Sequence, residues 1–356
     1  MYPGVRSETT GIFIKNQVDQ LRLLGFIVDV LAISDPRKGR IPVFRKHLLW
    51  IFRFFILMLK SGRTYDFVHA HYVFPSGFLA LIMKNLFKTK LIITAHGGDI
   101  NNMANKGQFF FNQTRRILQR SDRIIAVGEE LKKTIISKFN ISSEKIEVLS
   151  MGVDQSIFKP IPKEKAIFNL KISQNTFQFL FVGNIIKAKG ILELLQAYAL
   201  IKAEYDNVAL HIIGAHENNS FFLEVNSLIK EKKIDNIYLH DPMPQTLIAN
   251  WMNASDVLIL PSYTEGFGLV ALEAMSVGTP VIGTKVGGLK YLLSNQAGLL
   301  VEPKSINSLK HAMIQILTKK NLRLLLIQNG KKVAAMNNIT FLTKQTAELC
   351  YLNKKK

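Results

Sequence analysis

The chain has 356 residues, 48% of them hydrophobic and 20% charged, with a formal net charge of +20. That length and composition suit two α/β domains with cores of their own and exclude a disordered or fibrous chain. Its one cysteine, Cys350, excludes an intrachain disulfide framework and fits a reducing compartment, and the charge favours anionic partners such as phosphorylated substrates or anionic lipid. Residues 1–160 carry 24 Lys and Arg against 12 Asp and Glu, and residues 161–356 carry 22 against 14, so the excess is spread out. There is no compact basic arm, zinc-finger spacing or RNA-binding aromatic motif, so nucleic acid is not an expected partner.

The chain opens on Met1-Tyr2-Pro3-Gly4, which reads as a loop with no strand before it and no signal peptide. Gly11 sits just ahead of a helical run, Asn16 to Leu24, where it is either an anion-facing glycine or an ordinary loop residue. Gly25 stops that helix, and Phe26 to Ala32 has the pattern of a buried strand. His47 to Leu59 is the most hydrophobic segment. It is split by Arg53, flanked by Arg45, Lys46, Lys60 and Arg63, and too short to span a bilayer. It reads equally as a core helix or as an amphipathic helix lying in a membrane interface. Strands are expected at Phe67 to Ala70, Leu91 to Thr94, Arg123 to Val127 and Ile146 to Leu149, with helices between them. His69 and His71 alternate as on a strand, with no further residues at metal-ligand spacing. His96, in T-A-H-G-G-D, follows the second; it is either a proton-handling residue or a turn histidine satisfied by Asp99.

Phe158 to Thr176 is polar and proline-bearing and reads as a linker. Beyond it, strands are expected at Phe177 to Val182, Leu210 to Ile213, Ile237 to Leu239, Val257 to Leu260 and Val281 to Ile282. Helices are expected at Ile191 to Tyr205, Phe221 to Lys233 and Thr246 to Asn253. Strands alternating with helices imply parallel sheets. Residues 308–353 read as two or three helices broken at Asn329-Gly330, and Lys354 to Lys356 as a frayed end.

Two strand-to-helix turns carry the chemistry. Gly183 and Asn184 end one strand, and Lys187-Ala188-Lys189-Gly190 opens a helix, a setting that suits a diphosphate. Residues 261–283 read P-S-Y-T-E-G-F-G-L-V-A-L-E-A-M-S-V-G-T-P-V-I-G. There a strand enters a turn with Glu265, Gly266, Phe267 and Gly268, and a helix leaves it from Leu269 carrying Glu273. A helix N-terminus outside the carboxyl end of a parallel strand draws anions. Two carboxylates beside it need a ligand that also carries hydroxyls, as a nucleotide sugar does.

This stretch, with G-T-K-V-G-G-L at 283–289, resembles the donor-site signature of retaining glycosyltransferases of family 4. The resemblance covers essentially the whole chain and is strongest from Phe181 to Leu289. It implies an α/β, GT-B fold of two Rossmann-like domains with parallel sheets facing a cleft. The expected boundaries are 1–160 for an acceptor-side domain and 177–340 for a nucleotide-sugar-binding domain, with 341–356 packing back on the first. It also implies that a first strand belongs before Tyr2 and is missing here. The implied reaction is transfer of a sugar, of hexosyl type, from a UDP or GDP sugar to a hydroxyl. The implied acceptor is a lipid-linked saccharide in bacterial cell-surface polysaccharide or lipopolysaccharide synthesis, and the implied place is the cytoplasm, peripheral at the anionic inner membrane face.

In that reading His96, Glu265 and Lys189 are catalytic, and Asp99 lies on the acceptor side. Gly11, Gly183, Asn184, Lys189, Met243, Glu265, Gly266, Phe267, Gly268, Leu269 and Glu273 hold the donor. Glu265 meets the sugar, Glu273 the ribose, and backbone around Met243 the base. Asn184 stands where relatives commonly carry an arginine, so one diphosphate-neutralising cation is missing. No metal or other cofactor is expected, because helix N-termini and Lys189 can hold the diphosphate. A nucleotide-sugar epimerase, or a catalytically impaired donor- or membrane-binding relative, would share these features.

Overall fold

The computed structural model describes residues 2–4, 9–35, 37, 39–216 and 219–352. The chain divides into two units, residues 1–151 with 339–356, and residues 152–338.

The sheet of unit 1 is parallel, with strands in the order β1 (Phe67–His71), β2 (Lys90–Ala95), β3 (Arg123–Ala126), β4 (Ile146–Val148). Helices Ser76–Phe87, Gln108–Arg120 and Glu129–Phe139 make the crossovers. Leu91, Ile92, Ile93 and Ala95 are all fully buried, as expected of a parallel strand covered on both faces. Two helices precede the sheet, α1 (Ile12–Leu23) and α2 (Arg40–Ser61). The end of the chain returns to this unit. After the helix Ile339–Thr346, Cys350 and Tyr351 join Leu21, Ile92, Ile125 and Leu149 in one apolar cluster, and the Tyr351 ring stacks on Phe67 at 4.0 Å.

Unit 2 holds six parallel strands: β5 (Phe177–Val182), β6 (Val208–Ile213), β7 (Ile237–His240), β8 (Val257–Leu260), β9 (Val281–Thr284) and β10 (Leu299–Val301). Their order is β10-β9-β8-β5-β6-β7. The chain winds outward from β5 through β7, then returns to the other side of β5 to begin β8. The loops after β5 and β8 therefore flank the point where the winding reverses, the usual place for a ligand in an open parallel sheet.

Three sequence expectations are corrected. Phe26 to Ala32 forms no ladder among the described residues. Ladder hydrogen bonds need a neighbouring strand, and here the segment is held by side chains instead: Phe26 and Val28 pack beside Phe67, and Leu31 and Ile33 beside Trp50 and Val68. Residues 158–176 are no linker. Phe158 is buried in unit 2, and a helix, Lys163–Leu170, puts Ala166 and Ile167 against Ala254. Gly330 does not break the tail. Helix Lys320–Met336 runs through it, and a Cβ there would meet Met275 Cγ at 3.1 Å, so the glycine allows two helices to approach. β10 was not anticipated: three residues give too short an apolar run to read as a strand. Lys354 to Lys356 lie outside the described residues.

Candidate functional site

Three strand-end loops of unit 2 are locked together through backbone. Gly190, at φ 67°, stands so close to the loop after β8 that a Cβ would lie 2.1 Å from the Pro261 carbonyl oxygen. Beside it Tyr263 N–H donates to the Ala188 carbonyl at 2.8 Å. The loop after β9 closes the set. A Cβ on Gly287, at φ 47°, would lie 1.8 Å from the Glu265 carbonyl oxygen, and Gly288 N–H donates to the Gly266 carbonyl at 3.0 Å. Gly287→Ala must push this loop away from Glu265 and is expected to destabilise unit 2 by about 2 kcal/mol or more, read by denaturant unfolding. An unchanged midpoint would show that the loop yields freely.

On this frame the sequence-singled residues converge. Lys189 Nζ and Glu265 Oε2, from two different loops, pair at 2.6 Å, and Ser262 Oγ donates to the same oxygen at 3.4 Å. Gly268, in left-handed conformation, opens the helix Leu269–Val277. The N–H groups of Phe267, Gly268 and Leu269 donate to no other described atom of the chain, so a helix N-terminus with three free donors stands next to the pair.

Glu273 is the fifth residue of that helix, one turn in from its N-terminus. Desolvation pushes its carboxyl up to about 8, opposed only by the Gln245 amide, whose Nε2 donates to Oε1 at 3.4 Å. A carboxyl held that high by burial is poised for hydroxyl donors that would stabilise its charged form. Met243 is half-buried in the loop after β7. At the end of β7, His240 joins His211 and Gln178 Oε1 in a chain with two contacts of 3.0 Å. If Oε1 accepts from Nε2 of a neutral His211, the His211 Nδ1 is left to accept from His240. Gly183 and Asn184 follow β5, Gly183 N–H donating to the Ile213 carbonyl at 2.9 Å, with the Asn184 and Lys187 side chains exposed.

Sequence reasoning missed Ser262, Gln245, Gly287 and Gly288, and the bond from Tyr263 to Glu193 that ties the loop after β8 to the helix after β5. The glycine pair ahead of a helix was the one visible signal; the others are side chains whose partners are distant in sequence.

In unit 1, the Gly11 turn and His96 come together. Gly11 caps α1, and Phe13 in the first turn places its ring 5.1 Å from that of His96. His96 Nε2 lies 3.2 Å from His71 Nδ1. His69 is held at 2.7 Å by both Tyr351 OH and Thr94 Oγ1. Burial lowers His96 to about 3 and His69 to about 4, and holds His71 well below its ordinary value, so all three rings are neutral at pH 7. Each folded pKa lies below its unfolded value. The stability they allow is therefore complete above pH 6.5 and is lost as pH falls toward 4. Acidification from pH 7 to 5 is expected to cost unit 1 up to about 2 kcal/mol per ring, and His69→Gln to remove one such share. Melting curves in which wild type and variant respond identically to pH would contradict this.

Asp99 does not stand free for a ligand. It is buried, Oδ1 accepts from the N–H groups of His96, Gly97 and Ile100, and Oδ2 accepts from Val73 N–H at 2.9 Å. Desolvation raises its carboxyl and these bonds oppose the rise. The acceptor-side contact expected of it gives way to a structural role: it fixes the turn that presents His96.

Residues 11–156 match the family described as Glycosyltransferase Family 4, and residues 162–333 match Glycosyl transferases group 1. The chain belongs to this glycosyltransferase family. It is 32% identical over 249 residues to a D-inositol 3-phosphate glycosyltransferase of Arthrobacter sp. (strain FB24), a stretch that is 67% of this chain but 59% of that relative. Among solved structures it resembles sucrose-phosphate synthase from Thermosynechococcus elongatus, with TM-score 0.81 and 23% identity over 96% of this chain and 93% of that one. It also resembles Anabaena HepE in complex with UDP-glucose, with TM-score 0.74 and 20% identity over 83% and 80%. These likenesses and the two parallel-sheet units establish the GT-B fold. In this glycosyltransferase-family chain the two matched regions coincide with the two sets of converging residues.

Proposed function

We propose that the chain moves a sugar from a nucleoside diphosphate sugar to a hydroxyl acceptor with retention at the anomeric carbon. The observation that carries this reading is the Lys189–Glu265 pair beside three free N–H groups and Glu273, all at the winding reversal of unit 2. Cation and amide donors would hold the diphosphate, Glu265 the sugar hydroxyls and Glu273 the ribose. As the bond from the anomeric carbon to the diphosphate oxygen breaks, Lys189 and the helix N-terminus would stabilise the departing charge. The acceptor oxygen would then bond to the same face of the sugar, and its proton would leave with the diphosphate. That a protein of this fold was solved with UDP-glucose supports a UDP-linked donor.

The acceptor in this reading is a lipid-linked saccharide for a cell-surface polysaccharide, reached from the cytoplasmic side of the membrane. The relative named for an inositol phosphate acceptor gives the test its second arm. The protein is incubated with UDP- and GDP-sugars and with either lipid-linked saccharides or soluble polyol phosphates. A glycosylated lipid-linked product with the donor's anomeric configuration by NMR supports the whole reading. Product only on soluble acceptors overturns the lipid-linked part, and a rearranged nucleotide sugar without transfer overturns the transferase reading.

A further inference from the structure

Helix α2 has two apolar faces, and the described residues cover only one of them. Trp50 and Phe54 are buried against Leu31, Leu79 and Met83. On the opposite side Ile41, Phe44, Leu48, Phe52, Phe55 and Leu59 are 81, 70, 56, 61, 44 and 81% exposed. Their spacing of three and four residues puts them on one stripe down the helix. With 22 residues, α2 is about 33 Å long. An apolar stripe of this extent marks an interaction surface.

The charges around it choose the partner. From Arg40 to Tyr65 the chain carries six Lys and Arg and no Asp or Glu. Lys46 is spent on the Asp35 and Arg37 carbonyls, but Arg45, Arg53 and Lys60 are exposed on the flanks of the stripe. A second copy packed on this face would set base against base with no acid on either helix to pair them. The stripe itself has no polar side chain that a specific partner would have to match. A plane of anionic headgroups over acyl chains satisfies both features. No helix among the described residues is long and apolar enough to cross a membrane, and with one face in the core α2 can only lie flat.

We propose that the outer face of α2 is a docking surface for anionic lipid bilayers, seating Phe44, Phe52 and Leu59 among the acyl chains and Arg45 and Arg53 on the headgroups. The inference deepens the membrane-side reading above and does not depend on its donor chemistry. The experiment is co-sedimentation of the full chain with phosphatidylcholine vesicles, with and without phosphatidylglycerol, and no nucleotide sugar present. Binding is expected to the anionic vesicles and to weaken with salt. Phe44→Ser with Phe52→Ser should lower partitioning by roughly tenfold or more. Arg45→Gln with Arg53→Gln, which touches no packed residue, should lower it by about tenfold and erase the preference for anionic lipid. Circular dichroism and melting curves check that each variant folds. Wild type that ignores both vesicles overturns the proposal. So does vesicle binding untouched by either pair of substitutions, or a dimer in analytical ultracentrifugation that Phe44→Ser dissociates. Nucleotide binding measured on the same samples separates failure of docking from failure of the donor reading.

Discussion

Lys189→Met is expected to lower turnover by about 10²-fold or more. The lysine is the cation that the structure holds against Glu265 at 2.6 Å, in a partly buried position where a charge acts more strongly than in bulk water. In the proposed reaction its charge matters most as negative charge grows on the departing diphosphate, so kcat should fall more than nucleotide affinity. Lys189→Arg should restore part of the loss, because the charge survives while the reach differs. The control is Lys187→Met, an exposed neighbour on the same short turn, which should stay within a few-fold of wild type. Steady-state kinetics with saturating acceptor read all three. Equal losses for Lys187→Met and Lys189→Met would mean that only the general positive field matters. A loss confined to KM would place Lys189 in ground-state binding.

Glu273→Gln is expected to weaken nucleoside diphosphate binding by roughly tenfold or more and to change its pH dependence, the second effect being the more diagnostic. Burial pushes the Glu273 carboxyl up to about 8, whereas two ribose hydroxyls donate best to the ionised form. Binding should therefore release a proton near neutral pH, and affinity should rise from pH 6 to 8 and then level off. Stability runs the other way. The folded pKa is raised above the unfolded one, so the folded protein binds the proton more tightly, and the stability this gives is lost as pH rises from about 4.5 to about 8. Glu273→Gln should abolish both trends, with affinity measured by titration in buffers of different ionisation enthalpy and stability by melting. The titrations also contain the phosphate's own ionisation, which the variant retains, so the difference between the two proteins isolates Glu273.

Much of unit 2 was legible because its chemistry is local. A strand running into a glycine turn and out along a helix fixes where Glu265, Gly268 and Glu273 stand, and parallel strands put every such turn at one end of a sheet. The same logic placed Gly183 and Lys189. What the sequence could not show was the contact between turns. Nothing near Gly287 announces that Glu265's carbonyl will occupy the space of its missing side chain, and Gln245 lies 28 residues from the carboxyl it meets. Asp99 was misjudged for a similar reason. A carboxylate beside a site histidine reads as chemistry until the N–H of Val73, 26 residues away, is seen to fill it.

Unit 1 was less readable. The strand pattern of Phe26 to Ala32 is sound as hydrophobic periodicity, but a strand exists only with a neighbour to bond. His69 depends on Tyr351, which arrives from the far end of the chain. The apolar segment around Trp50 was ambiguous between core and membrane because a sequence reports hydrophobicity without saying which face is covered. The described residues cover one face of α2 and leave the other open.

Calorimetric titration of UDP, GDP and ADP, and of their glucose and mannose conjugates, into wild type and Glu273→Ala tests the central claim most directly. The account predicts selective binding of one nucleoside diphosphate and its sugar, lost or strongly weakened in the variant. Binding that the variant retains in full, or a folded wild type that takes none of these ligands, would contradict a donor site at the winding reversal of unit 2.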